Sequence, residues 1–153
     1  MTTNDKNCRL RQRKHTGYEM VTSRKDYYFE DELSDIFTAS HENSFTDADM
    51  YHNANYYSDE EIARNNARAD QLMRRLRRFS VQHRTNEINW KNSNTRKYSI
   101  IYNYAIGKFT TRSTYSFRES NQVYFDSEQH AQQAINYFKN ELLWYFTKYQ
   151  DCL

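Results

Sequence analysis

The sequence predicts an α+β fold: a long N-terminal helix, a three-stranded antiparallel sheet and a C-terminal helix, with a charged N-terminal extension before them. Large apolar residues alternate with polar ones between residues 97 and 125, which is typical of half-buried strands. At 58–83 and 126–149 they recur every three or four positions instead, which is typical of amphipathic helices. We therefore predict a charged extension, 1–57, and an α-β-β-β-α domain, 58–153.

Charge divides the extension. Residues 1–25 contain seven Lys or Arg against two carboxylates, a net charge of +5, and are predicted to form a flexible basic arm, either solvated or touching nucleic acid. Residues 26–57 are acidic, and the acidic block continues to 61 with eleven Asp or Glu and no Lys or Arg. Eight aromatic residues distinguish this block from a simple disordered tract. The spacing of its apolar residues from Phe29 to Phe37 predicts a short amphipathic helix.

The long helix is predicted to begin at Ser58, which forms a capping-box pattern with Glu61, and to run to about His83. It has one apolar stripe: Ile62, Ala69, Leu72, Met73, Leu76 and Phe79. Arginines cover much of its remaining surface, and residues 62–118 carry a net charge of +11.

Three short strands are predicted next. Alternation over Tyr98–Ile106 stops at Gly107, resumes over Phe109–Phe117, and returns after a polar turn at Val123–Phe125. The connections are too short for crossovers, so the sheet is antiparallel. Asp126 and Ser127 are good N-cap residues for the last helix. Its apolar stripe is Ala131, Ile135, Phe138, Leu142, Tyr145 and Tyr149, and its apolar end is predicted to contact the upstream helix.

Composition limits the class of protein. Only 37% of residues are hydrophobic and the mean hydropathy is −1.14, so we expect a small core rich in Tyr and Phe. The sequence has no apolar run long enough to cross a membrane, and it has no signal peptide. We therefore predict a cytoplasmic protein with no membrane partner. Cys8 and Cys152 are expected to be reduced thiols.

The sequence gives little support for an enzyme. Its five histidines lack metal-ligand spacing, neither cysteine has a CxxC partner, and two glycines cannot form a Gly-rich phosphate loop. We therefore predict no catalytic residues, no metal and no cofactor.

Charge patterning instead suggests binding. Carboxylates interleaved with aromatic residues can imitate a phosphate backbone and occupy the basic groove of a nucleic-acid-binding protein. The predicted partner-binding residues are Asp26, Glu30, Asp31, Glu32, Asp35, Glu42, Asp47 and Asp49. If the acidic block instead folds back on the arginines of the long helix, the two charges simply compensate each other.

Two further interpretations remain open. The helix arginines can bind nucleic acid directly, with tyrosines of the sheet stacking on bases. The residues for this alternative are Arg68, Arg74, Arg75, Arg77 and Arg78. In the second of these interpretations, the protein forms a homodimer through the helix 58–84.

Several core patterns resemble a family of small uncharacterised phage and prophage proteins of Firmicutes. They are Trp90, Lys97-Tyr98-Ser99-Ile100-Ile101-Tyr102-Asn103-Tyr104, Val123-Tyr124-Phe125-Asp126-Ser127-Glu128 with Ala131, Ala134 and Ile135, and Glu141-Leu142-Leu143-Trp144-Tyr145-Phe146. The resemblance covers roughly residues 62–149 and implies a phage accessory protein; such proteins include anti-CRISPR inhibitors of RNA-guided nucleases. We therefore expect a non-enzymatic, phage-encoded inhibitor of a host defence nuclease, acting in the bacterial cytoplasm by DNA mimicry, or alternatively a nucleic-acid-binding accessory protein.

Overall fold

The computed structural model describes residues 15–149, and the chain divides into two compact units, Met1–Ala67 and Arg68–Leu153. The predicted α+β class is confirmed, because the described residues form helices together with a two-stranded and a three-stranded antiparallel sheet. The division between the units falls within the long helix, after the predicted division at residues 57 and 58.

The first unit contains a β-hairpin, β1 (Asp26–Glu30) and β2 (Ile36–Ser40), followed by helix α1 (Phe45–His52). Ser44 caps α1: its hydroxyl accepts the Asp47 N–H, and the Asp47 carboxylate accepts the Ser44 N–H in return. The acidic block is therefore folded over most of its length.

The prediction of a short helix around Phe29 to Phe37 is wrong. Phe29 and Phe37 are partners across the hairpin, with ring centroids 6.0 Å apart. The turn forms without glycine because Ser34 adopts a left-handed φ of 71°. One carboxylate oxygen of Asp31 accepts the N–H groups of Leu33 and Asp35 at 2.9 and 2.8 Å, which satisfies the turn's amides.

The part of the predicted basic arm that the structure describes, residues 15–25, packs within the first unit. The Ser58 N–H donates to the Gly17 carbonyl at 2.9 Å, and the Arg24 N–H donates to the His41 carbonyl at 2.8 Å. Gly17 has a φ of 86°, and a Cβ there would lie 2.6 Å from Cδ1 of Ile62, so this close approach requires glycine. Residues 1–14, with most of the arm's predicted cations and Cys8, lie outside the described residues, as does Cys152.

The long helix α2 (Glu60–His83) begins in the first unit and ends in the second. Its predicted apolar stripe is confirmed, since Leu72 and Leu76 are 1% and 3% exposed. Its N-terminus is held by a different residue from the one predicted. The Asp59 carboxylate accepts the Ile62 N–H at 3.0 Å, while the Ser58 hydroxyl donates to Glu19.

The sheet of the second unit has the order β4-β3-β5, with β3 (Lys97–Asn103), β4 (Lys108–Thr114) and β5 (Tyr124–Phe125), all antiparallel as predicted. Buried residues from α2, the sheet and the last helices form one core: Leu72, Leu76, Phe79, Ile100, Phe125, Ala131, Ala134, Ile135, Phe138 and Leu142.

The C-terminal helix is divided into α3 (Glu128–Tyr137), α4 (Lys139–Trp144) and a π-helical turn, Tyr145–Tyr149. Ser127 is its N-cap and accepts the His130 N–H at 3.2 Å. The predicted contact between its apolar end and the upstream helix is confirmed, because the guanidinium of Arg68 in α2 lies 3.9 Å from the centroid of the Trp144 ring. None of the helices within residues 15–149 is both long enough and apolar enough to cross a membrane.

Candidate functional site: an acidic hairpin

We call residues 26–40 the acidic hairpin. Its tip combines charge with an exposed apolar side chain: Leu33 is 73% exposed, and the neighbouring Glu32 and Asp35 are exposed as well. Asp31, which holds the turn with its carboxylate, fixes the backbone that presents these three side chains. A single exposed apolar residue is ordinary on a protein surface, so it is the combination of Leu33 with exposed carboxylates on a fixed turn that makes this tip the candidate binding surface.

Both sides of β1 are anchored. Tyr27 is 2% exposed and stacks on Tyr56, with ring centroids 4.0 Å apart. On the other side, Tyr28 packs against a small cluster that includes Tyr57 and Ile62. At the end of β1, Asn55 exchanges two hydrogen bonds of 2.7 Å with the backbone N–H and carbonyl of Glu30. The hairpin is therefore held in one orientation within the first unit.

Its charge is not neutralised locally. Within residues 15–149, six of the eight predicted carboxylates make no ion pair: Asp26, Asp31, Glu32, Asp35, Glu42 and Asp49. Asp26 accepts the Ser40 hydroxyl at 2.7 Å instead. Among the described residues of the first unit, these six carboxylates therefore have no compensating cation.

Asp47 must be removed from the predicted surface, because it is only 4% exposed. Its carboxylate accepts the N–H groups of Ser44 and Glu42, each at 2.9 Å, and the Ser44 amide leads the contacts that lower its pKa to about 2. Burial, with the nearby Asp47 charge, raises the pKa of Tyr27 to about 12. Asp47 is thus an internal support of α1 and not a partner-binding group.

The predicted nucleic-acid-binding arginines are largely engaged within the second unit. Arg68 makes two hydrogen bonds to Glu141, at 2.9 and 3.1 Å, and its guanidinium lies 3.9 Å from the centroid of the Trp144 ring. Arg75 is half-buried, with its guanidinium 5.1 Å from the centroid of the Phe138 ring. Arg74 also has a partner. Arg77 and Arg78 are the two of this set that stay exposed without a carboxylate partner among the described residues.

The tyrosines of the sheet mostly serve the fold. Tyr98 packs against the core, and Tyr102 stacks on Phe146 with a centroid distance of 5.9 Å. The Tyr104 ring is 64% exposed, but its hydroxyl donates to the Phe146 carbonyl at 2.6 Å. A continuous platform for nucleic-acid bases is therefore not formed by these rings.

From the sequence, Asp126 is predicted only to cap the last helix, but in the structure its buried carboxylate has several hydrogen-bond partners. Asp126 accepts His130 Nδ1 at 2.6 Å and the N–H groups of Thr85 and Asn86 at 2.8 and 2.9 Å. Burial opposes its ionisation, but these hydrogen bonds outweigh it and lower its pKa to about 2. Asp126 thus ties the segment after α2 to the start of α3. Within residues 15–149, no cluster of three or more His, Cys, Asp or Glu is arranged to hold a metal ion.

Comparisons with family models, with curated proteins and with solved structures found no match to this chain. The resemblance to phage proteins therefore stays a prediction.

Proposed function

We propose that this protein is a non-enzymatic inhibitor that binds a basic, nucleic-acid-binding surface of another protein through its acidic hairpin. The observation that carries the proposal is the tip of that hairpin, where an exposed Leu33 lies between two exposed carboxylates that have no cation partner among the described residues.

Each part of the tip has a separate physical role. The carboxylates take the place of phosphates, attract an Arg- or Lys-lined groove over a distance of about 10 Å, and release its counterions on binding. Burying the exposed Leu33 side chain contributes about 1.5–3 kcal/mol, which does not depend on salt. The charges therefore speed association, and the leucine slows dissociation.

The target class we propose is a host defence nuclease, with RNA-guided nucleases first, in the cytoplasm of a bacterial host. Such enzymes hold nucleic acid in a positively charged channel, which is the surface that a carboxylate-rich hairpin complements. The resemblance to phage proteins supports this choice independently of the hairpin.

The test is DNA cleavage by a panel of purified RNA-guided nucleases, with and without the full chain. We expect near-stoichiometric inhibition of at least one nuclease. Glu32→Lys and Asp35→Lys should each weaken it by about tenfold, because each replaces an attraction in the groove with a repulsion. Asp31 is left unchanged, since its carboxylate holds the turn.

Glu87→Lys is the matched control. Glu87 is an exposed carboxylate with no ion-pair partner among the described residues and is not part of the hairpin, so its reversal makes the same change of charge outside that segment. Equal inhibition by Glu32→Lys and Glu87→Lys would reject the hairpin as the binding surface. If none of the nucleases is inhibited, the target class is rejected.

A second candidate function is direct binding of nucleic acid, favoured by the two exposed arginines, Arg77 and Arg78. It requires that the free protein shift labelled DNA or RNA in a gel, with an affinity that falls steeply as salt is raised. The inhibitor proposal requires no such binding. A gel-shift titration at two salt concentrations therefore separates the two functions.

A further inference from the structure

A cleft of about 620 Å³ opens in the second unit between α2, the turn 118–123 and the π-helical turn. A second chamber of about 250 Å³ adjoins it and shares with it Met73, Gln122 and Tyr145. The cleft alone falls in the range of about 300–1,000 Å³ that small-molecule sites occupy. None of the predicted binding residues except Arg77 lines it.

The charges in the cleft are unevenly matched. Two of its lining residues are arginines, Arg77 and Arg118, and neither has a carboxylate partner among the described residues. Of the carboxylates in the lining, Glu119 is bound to Arg112, and Asp70 also has a partner. The Arg118 guanidinium lies 5.6 Å from the centroid of the Trp90 ring, but a cation–π contact does not use its N–H donors. The N–H donors of both guanidinium groups can therefore bind an anion, and their forked arrangement fits the oxygens of a phosphate.

The rest of the lining suits a planar, polar ring. Tyr145 and Tyr149 stack on each other at 5.3 Å between ring centroids, next to the cations. The adjoining chamber has an apolar floor that includes Leu76 and Phe146, with the side-chain amides of Asn121 and Gln122 beside it. Aromatic faces stack on nucleobases, and side-chain amides form paired hydrogen bonds with base edges. An acyl chain would leave these polar groups without hydrogen-bond partners.

The Tyr145 hydroxyl stays neutral under ordinary conditions. Burial, together with the charge of Asp70, raises its pKa above the usual value. A neutral hydroxyl can donate to a base or sugar oxygen, while a phenolate there would repel a phosphate.

We infer that this cleft binds a nucleotide, with its phosphate on Arg77 and Arg118 and its base in the adjoining chamber. The nucleotide is either free or the 5′-phosphorylated end of a strand, since both present the same chemistry. The inference goes beyond the proposed inhibitor function, because it concerns a different unit and no residue of the acidic hairpin.

Isothermal titration calorimetry on the full chain tests it. The probes are AMP, ATP, GTP and a 5′-phosphorylated single-stranded decamer, with adenosine and inorganic phosphate as the separated halves. We expect at least one nucleotide or the decamer to bind about tenfold or more tightly than either half, because the two subsites act together. Binding by the decamer alone assigns the site to a strand end, and binding by a mononucleotide assigns it to a free nucleotide; both outcomes support the cleft.

Arg77→Ala should weaken binding by about tenfold or more through loss of a charge-assisted phosphate contact. Arg84→Ala is the matched control, because Arg84 is an exposed arginine just after α2 that does not line the cleft. Arg118→Glu, in the turn rather than the helix, provides a second disruption. Circular dichroism checks that each variant is folded.

Three results would overturn the inference: no probe binds at about 1 mM, adenosine binds as tightly as the nucleotides, or Arg84→Ala weakens binding as much as Arg77→Ala. Glu32→Lys should bind nucleotide like the unchanged chain. Nuclease inhibition therefore tests the hairpin proposal and nucleotide binding tests the cleft inference, so the failure of one is distinguished from the failure of the other.

Discussion

The two units are held together by different chemistry. In the first, the largest buried side chains are Tyr27 and Tyr56, and they pack with two buried ionisable groups, His41 and Asp47. Tyr56 links three parts of this unit, because its hydroxyl contacts His41 Nδ1 at 3.2 Å and accepts the Val21 N–H at 3.2 Å. The second unit instead buries a continuous cluster of Leu, Ile, Phe and Ala side chains.

This difference explains how each unit treats its surface charge. The apolar core of the second unit is covered by long cationic side chains, as Arg68 lies over Trp144 and Arg75 over Phe138, so part of its positive charge is used for packing. Asp and Glu have short side chains that cover little apolar area. Most of the described carboxylates of the first unit are consequently exposed, which leaves a strongly charged surface there.

The largest effect is expected from the apolar core. Phe125 is 1% exposed, so Phe125→Ala should lower the free energy of unfolding of the second unit by about 3–5 kcal/mol, through lost burial and the cavity left behind. Urea denaturation followed by tryptophan fluorescence measures this, because Trp90 and Trp144 both belong to the second unit. Phe117→Ala, at a ring that is 81% exposed, should change stability by less than about 0.5 kcal/mol. A loss below about 1 kcal/mol for Phe125→Ala would contradict the contrast between the cores.

A smaller, pH-dependent effect is expected at Asp126, whose side chain is buried in the second unit. Asp126→Asn should cost about 2 kcal/mol at pH 7, because it removes charge-assisted hydrogen bonds to Thr85, Asn86 and His130. The pKa of Asp126 is lowered in the folded protein, from 3.8 to about 2. Its contribution is therefore fully present above the unfolded value of 3.8 and is lost as the pH falls through about 2.

The same urea titration at neutral pH and near pH 2 checks this, since the difference between the unchanged chain and Asp126→Asn should shrink in acid. Glu87→Gln is the control, because Glu87 is exposed and has no ion-pair partner among the described residues. A difference that stays constant with pH would show that the ionised Asp126 contributes nothing.

The smallest effect is expected from a single hydroxyl of the first unit. Tyr56→Phe keeps the ring stacked on Tyr27 but leaves the Val21 N–H without its acceptor, which should cost about 1 kcal/mol. Hydrogen exchange of the Val21 amide should then be roughly fivefold faster. Tyr51→Phe is the matched control, because Tyr51 is 40% exposed and its contacts are between rings. Equal exchange in the two variants would mean that the polar contacts of the first unit do not stabilise it.

Several elements were predictable because their signal is local. Leu72, Leu76 and Phe79 recur at helical spacing, and a stripe of that period must be buried whatever covers it. The strands β3 and β4 were predictable for the same reason, with a period of two and a glycine at the turn. The hairpin was not, since Phe29 and Phe37 are eight residues apart and that separation fits both periods approximately. Ser34 also takes the left-handed turn conformation without being glycine.

The candidate site was predictable as a composition and not as a surface. The run of carboxylates before residue 62 is visible in the sequence. The sequence also contains a signal for the burial of Asp47, because Ser44-Phe45-Thr46-Asp47 matches the capping-box pattern. The sequence contains no signal for the cleft, because Arg77 and Arg118, which line it together, are 41 positions apart in the chain.

By itself the sequence determined the α+β class, the long arginine-bearing helix, the sheet and the excess of acidic charge, because each depends on residues only a few positions apart. Only the tertiary structure decided which charged side chains make contacts inside the protein and which face solvent. Lys97 shows why: it is 1% exposed and donates to the carbonyls of Asn92 and Tyr115, at 2.6 and 2.8 Å. Whether a charged side chain faces solvent, a ring or a carbonyl depends on partners brought together by folding, and a count of charges along the chain does not contain that information.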